Sequence, residues 1–328
     1  MPGSAGQLTA AGAAAPPPAL TRRAFGVAGA LLPLARLLAP GAVVAAPPPA
    51  PAAVREFALV AREVDLELRP GTTVRAWTYN GTVPGPELRV TEGDQVRITL
   101  KNELPAATSA HWHGIDVPVA MDGVPGLTQQ AVPPGGTFVY EFTATNVGTR
   151  WYHSHQDAEV QVPLGLFGPV IVEPKAPESV RYDREYTFIL SEWDLDLTPA
   201  VATGDASLPA PRSDVPLSKQ LDYDLFLVNG KATEALPPIA VASGQRVRLR
   251  LINAGNLIHT VRGRGRPIKV VATDGNPVPP GVALPDEAAT LGPSERVDLE
   301  LLGGDSGGWT FEADVEHQMA SGMTAGLR

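Results

Sequence analysis

Apolar and polar residues alternate with a period of two along most of this chain. The alternation runs through residues 55–68, resumes over 74–79 after a Pro70-Gly71 turn, and returns in Leu88-Arg89-Val90, 96–100 and 140–143. Residues 166–172 form a continuous apolar run. A period of two places alternate side chains on opposite faces, so these stretches read as strands. Turn residues punctuate them at Asn80-Gly81-Thr82-Val83-Pro84-Gly85-Pro86 and at Glu92-Gly93-Asp94. No window carries a 3.6-residue apolar period, which excludes a helical fold and predicts an all-β sandwich or barrel.

The second half repeats the order of the first. Asn229-Gly230 answers Asn80-Gly81, while Ile239, Val241, Gly244-Gln245 and 247–253 answer Leu88, Val90, Gly93-Asp94 and 96–102. Such matching predicts an internal duplication, with one domain over 55–174 and another over 180–328. Residues 198–219, rich in Pro, Ala, Ser and Asp, predict a long surface loop.

Ahead of the first strand, Thr21-Arg22-Arg23-Ala24-Phe25 is a twin-arginine pattern, followed by an apolar run over 25–38 and small residues at 42–46. Segment 1–46 reads as an export signal and 47–54 as a stiff Pro/Ala linker. Pro33 and Arg36 interrupt the run, which is too short for a span, so no stable membrane span is expected after signal removal. The expected location is periplasmic or extracellular, in a bacterium. A net charge of −9 without a basic stripe excludes nucleic acid as a partner class. Cysteine is absent. That excludes disulfides, thiolate zinc sites and a cysteine nucleophile, and also a blue-copper centre, which needs a thiolate beside two imidazoles.

Four of the six histidines stand in two H-x-H triplets, His111-Trp112-His113 and His153-Ser154-His155. On extended backbone each triplet puts its imidazoles on one face, roughly 6.6 Å apart along the strand. Two such pairs on neighbouring strands could surround one ion or a small cluster; a single H-x-H is also an ordinary pair of strand histidines. The duplication adds an internal comparison. His111 and His113 lie nine and eleven residues after Asn102, and Arg262 and Arg264 lie nine and eleven after Asn253. Tyr152-His153-Ser154-His155 corresponds to Phe311-Glu312-Ala313-Asp314. Where the first repeat has four imidazoles, the second has two guanidiniums and two carboxylates.

At these residues the chain resembles the multicopper oxidases, laccase-like proteins of cupredoxin domains, over about residues 55–328. The resemblance rests on Asn80-Gly81-Thr82-Val83-Pro84-Gly85-Pro86, His111-Trp112-His113-Gly114, Met121-Asp122-Gly123-Val124-Pro125-Gly126, Trp151-Tyr152-His153-Ser154-His155 and Gly165-Leu166-Phe167-Gly168-Pro169. The second half is similar to the C-terminal domain of two-domain laccases in Asn253-Ala254-Gly255-Asn256, in Val270-Val271-Ala272-Thr273-Asp274-Gly275-Asn276-Pro277 and in Gly322-Met323. The resemblance implies two cupredoxin-like Greek-key β-sandwiches, copper as cofactor, a small-molecule or metal-ion donor, and a homotrimer. It places His111 at a type 2 copper and His113, His153 and His155 at a type 3 pair. Asp122 would relay protons beside them; read alone, it is also a turn residue before Gly123.

In the family the other half of the cluster comes from H-P-x-H-x-H-G-H and H-C-H-x-x-x-H-x-x-x-x-M segments. Here only His259 and Met323 remain, and Arg262, Arg264, Arg266, Glu312, Ala313, Asp314 and Gln318 fill the other positions. Arginine has no lone pair for a metal. The type 1 centre and half the cluster are therefore expected to be missing, and laccase turnover with them. Three functional classes follow: an exported oxidase homologue that is impaired or inactive, with copper at partial occupancy or not at all; a copper- or zinc-binding non-oxidase; or a metal-free scaffold. In the second, Glu312 or Asp314 of the same or a neighbouring subunit would help the surviving histidines. Arg262 and Arg264 are expected either to pair with Glu312 and Asp314 or to stand as solvated charges. Taken singly, His259 and Met323 read as core or surface residues, His317 as a strand-end residue, and Asn80-Gly81-Thr82 as a turn rather than a glycosylation site.

Overall fold

The computed structural model describes residues 54–206, 223–232, 242–263, 267–282, 284, 288–303, 310–315 and 323–326. The signal-like segment 1–46, the linker up to residue 53 and most of the 198–219 loop lie outside them. The first half comprises β1 (Val54–Arg69), β2 (Thr72–Tyr79), β3 (Leu88–Thr91), β4 (Gln95–Asn102), β5 (His111–His113), β6 (Thr137–Thr143), β7 (Gly148–His153), the short helix α1 (Ala158–Gln161) and β8 (Phe167–Glu173). Its sheets, ordered β2-β1-β4-β6 and β3-β8-β7-β5, contain parallel pairs at β1–β4 and β3–β8 that mark the Greek-key crossovers. Between them Trp77, Tyr79, Trp112, Tyr140 and Tyr152 are almost wholly buried.

The second half comprises β9 (Arg184–Trp193), helix α2 (Pro199–Ala202), β10 (Leu225–Val228), β11 (Lys231–Ala232), β12 (Arg246–Asn253), β13 (His259–Gly263), β14 (Lys269–Thr273), β15 (Asn276–Pro277), β16 (Ala288–Leu291), β17 (Arg296–Leu302), β18 (Thr310–Val315) and β19 (Met323–Gly326). Among the described residues its sheets are β11-β10-β9-β12-β17-β14-β15 and β16-β13-β18-β19. One correction to the expected loop is α2 at its start, where Pro199 supplies the φ a first helical turn requires.

The two repeats share their hydrogen bonds as well as their order. Asn80 and Asn229 both take positive φ, 61° and 51°, as a tight Asn-Gly hairpin turn requires. Asn80 Oδ1 accepts from Val60 N at 2.6 Å and its Nδ2 donates to Ala58 O; Asn229 Oδ1 accepts from Ile189 N at 2.8 Å and its Nδ2 donates to Thr187 O. Asn102 donates to the carbonyl four residues on and accepts from the amide two residues on, and Asn253 does the same. Each asparagine substitutes for a missing backbone partner at an equivalent corner.

The repeats meet through apolar packing of Val83, Trp151 and Phe167 against Ile189, Ile252 and Ala254. A polar seam adjoins it. Arg250 on β12 reaches Asp298 at 2.9 Å and Thr149 Oγ1 at 2.8 Å, and Thr149 Oγ1 donates to Asp298.

Candidate metal centre

Strands β5 and β7 pair antiparallel with His111 opposite His153 and His113 opposite Trp151. Trp112 and Tyr152, which intervene, are 1% and 0% exposed and belong to the core. Strand alternation therefore turns the imidazoles of His111, His113 and His153 onto the other face. One ligating nitrogen from each lies within 4.8 Å of the others.

Hydrogen bonds fix how two of these rings present themselves. His111 Nδ1 donates to the Asp122 carbonyl at 2.7 Å, with the Asp122 carboxylate 3.3 Å away. His153 Nδ1 donates to the Ser154 carbonyl at 2.9 Å. A carbonyl only accepts, so both rings carry their proton on Nδ1 and leave the Nε2 lone pair free. His113 Nδ1 lies 3.4 Å from His153 Nε2. That is long for a nitrogen–nitrogen hydrogen bond, and it matches the separation of about 3.3 Å between two nitrogens each about 2.05 Å from a tetrahedral ion. His155, just past β7 and exposed, completes the cluster at ring-centre distances of 5.3 Å from His111 and 6.1 Å from His153.

Supporting residues hold this arrangement. Trp151 stacks on His113 at 5.2 Å and packs tilted against His153 at 4.3 Å between ring centres. Ser154 Oγ donates to Gln161 Oε1, which also receives Thr108 Oγ1, while Gln161 Nε2 binds the Ala107 carbonyl. Helix α1 thus locks the residue between the second pair of histidines. Burial, followed by the charges of Arg296 and His111, pushes the His113 imidazole down to about 4. Burial, with the neighbouring imidazoles, pushes His153 down to about 3. Both rings are neutral at ordinary pH, the form that ligates.

In the second repeat β13 pairs with β18 so that Arg262 stands opposite Glu312, as His111 stands opposite His153. The correspondence drawn from sequence spacing is thereby a correspondence of register. Asp314 lies opposite Thr260; Arg264, expected with Arg262 to pair with Glu312 and Asp314, falls outside the described residues with Arg266, His317 and Gln318. Of Glu312, Ala313, Asp314 and Met323 the backbone alone is described; Met323 pairs with Ala313. Arg262 is exposed. His259 is wholly buried, its Nε2 2.5 Å from Glu192 Oε1, and Glu192 also accepts from Asn256 N.

These residues decide what could be held. The first-repeat trio fits a copper or zinc ion, with three imidazole nitrogens converging at coordination spacing. The type 1 copper does not fit, because the chain has no thiolate and His259 is engaged by a carboxylate. The sequence reading missed the Arg150–Arg296 pair that backs the site. For Arg296 the available signal was the run of charges at alternate positions of β12 and β17 (Arg246, Arg248 and Arg250 against Arg296, Asp298 and Glu300), a pattern that a solvated strand face shows equally; for Arg150 there was none.

Family models described as multicopper oxidase match residues 61–177 and 184–283. The chain is 35% identical over 261 residues to copper resistance protein A of Pseudomonas syringae pv. tomato, covering 69% of this chain and 42% of that protein. It is 32% identical to the multicopper oxidase MmcO of Mycobacterium tuberculosis, covering 70% of this chain and 48% of the relative. It therefore spans less than half the length of these curated relatives. The crystal structure of a blue copper oxidase from Nitrosomonas europaea superposes with a TM-score of 0.73 at 30% identity, covering 84% of this chain and 86% of that one. With its duplicated sandwich, its two H-x-H strands and these matches, the chain belongs to the multicopper oxidase family.

Proposed function

We propose that this chain is an exported copper-binding protein that holds its metal on the first repeat alone and does not, by itself, turn over as an oxidase. The observation carrying the reading is the trio His111, His113 and His153, whose free nitrogens converge within 4.8 Å, in a chain without cysteine. His155 would close the rim, and Asp122 and Ser154 orient two of the rings through their carbonyls. Bound copper would supply a redox-active Lewis acid; the protein's part is to present converging imidazole nitrogens and keep Trp151 packed behind them. Without a thiolate there is no copper–sulfur centre to pass substrate electrons inward. Export is supported by the twin-arginine pattern at Arg22-Arg23. Among the described residues, no helix is long and apolar enough to cross a membrane.

The test is metal analysis of the purified chain after dialysis against copper or zinc, with oxygen consumption on a phenolic donor. Bound copper without blue absorption or oxygen uptake supports the reading. Zinc in place of copper would move the chain to the non-oxidase metal-binding class, and no metal to the scaffold class. A second reading is favoured by the length of the curated relatives, which extend well beyond the matched stretch. There the complementary ligands lie on other polypeptide, or on neighbouring copies in a homotrimer. Restoration of blue absorption by an added relative's remaining domains would distinguish it.

A further inference from the structure

Two buried guanidiniums stand behind the histidines. Arg150 lies on β7 and Arg296 opens β17, and they are 4% and 5% exposed. Both press on Gly114, the residue after His113, which has φ +81°. A Cβ there would lie 2.6 Å from Arg296 Nη2 and 3.2 Å from Arg150 Nη1. Only glycine fits such a position, and it lets the charges approach the end of the histidine strand.

Their hydrogen bonds go largely to carbonyl oxygens. Arg150 donates to Asn146, Val147 and Asp274, and Arg296 to Ser294, Asp274 and Thr149. A carbonyl satisfies an N–H without cancelling its charge. The Asp274 carboxylate, 3.0 Å from Arg296 Nη1, does cancel charge, but its side chain is 49% exposed. Of the other nearby acids, Asp298 is paired with Arg250, while Asp116 and Glu295 bond the neutral Asn146 amide and Gly292 N and keep their charge. At His113 itself the Arg296 charge outweighs the opposing charge of Asp274. Burial and the Arg296 charge hold Arg150 below its ordinary proton affinity, and burial does the same to Arg296.

We propose that Arg296, backed by Arg150 and moderated by Asp274, sets the ion preference of the histidine site, raising its selectivity for monovalent copper over divalent copper or zinc. This rests on the metal-binding reading above. Imidazole binds copper readily, so donor softness does not decide the outcome. A fixed positive charge opposes a divalent ion with twice the energy it opposes a monovalent one, and burial protects that field from salt.

Anaerobic titrations of the full chain decide it, with Cu(I) held by ascorbate and competed by a chromophoric chelator, and with Cu(II) and Zn(II) in parallel. Arg296→Gln is expected to raise the affinity for the divalent ions relative to Cu(I) by about tenfold. Asp274→Asn is expected to move the ratio the other way by about as much. Asparagine tolerates the φ of +48° at that position. Should Arg296→Gln fail to fold, the direction of the Asp274→Asn shift alone decides. Uptake with an unchanged or reversed ratio overturns the role of Arg296 and leaves the metal site standing. No uptake of any of these ions by the unaltered chain overturns the metal site and this inference with it.

Discussion

The strand pairs β5–β7 and β13–β18 occupy the same place in the two repeats and carry different residues at matched register positions. Trp112 and Tyr152 in the first repeat and Val261 in the second fill a core, while the register pair His111–His153 of the first becomes Arg262–Glu312 in the second. The asparagine corners that frame both are unchanged. The difference teaches that the sandwich does not depend on the histidines: one repeat carries them and the other keeps the same strands and corners without them. A second contrast lies on the neighbouring strand pairs of the two repeats. Arg97 and Glu141 on β4–β6 pair at 3.2 Å in solvent, whereas Arg250 and Asp298 on β12–β17 pair at 2.9 Å where both are nearly inaccessible. The equivalent strands carry a solvated charge pair in one repeat and, two residues further along, a buried seam pair in the other.

Four experiments can break this comparison, and the largest effect belongs to the seam. Asp298→Ala leaves the Arg250 charge buried with Glu185 as its remaining acid, and should cost about 3 kcal/mol or more in urea unfolding. Glu141→Ala, in the solvated ion pair on the equivalent strands of the first repeat, should cost under about 1 kcal/mol. Equal losses would mean that the seam is not what separates the repeats. At the metal face, His153→Ala should weaken copper uptake by about a hundredfold or more, beyond what loss of a supporting group does, while Arg262→Ala leaves it unchanged. Competition against a chelator of known affinity reads both.

The corners come next. Asn80→Ala and Asn229→Ala each remove two backbone hydrogen bonds and place alanine at positive φ, so each should cost about 1–3 kcal/mol, and by similar amounts. A large cost in one repeat and none in the other would break the duplication at the level of energetics. The smallest effect is in pH. His113 and His153, held at about 4 and 3, resist protonation in the folded chain, while the unfolded chain takes up protons near the ordinary value of about 6.5. The metal-free protein should therefore be fully stable above that value and lose stability as pH falls toward 4. Copper held by these rings should survive at about pH 5, where ordinary imidazoles are mostly protonated. Thermal melts and dialysis across that range check the two statements.

Much of this was legible in the sequence for a physical reason. Period-two alternation and Asn-Gly corners are local signals, and they gave the strands, the repeat and the His111/His153 against Arg262/Glu312 correspondence. The side of a strand that meets another domain is not local. Charges at alternate positions of β12 and β17 look the same whether water or Thr149 covers them, so the seam and the Arg150–Arg296 pair emerged only in three dimensions. The helical turn Pro199–Ala202 was hidden in a Pro/Ala-rich stretch that reads as loop because Pro at a first helical turn and Pro in a loop look alike.

The most direct test is the copper content of the purified full chain and of a His111→Ala, His153→Ala double variant after identical loading and dialysis. The account predicts about one copper or more per chain in the former, colourless in the blue-copper band, and next to none in the latter. Equal copper in both, or none in the unaltered chain, would contradict it.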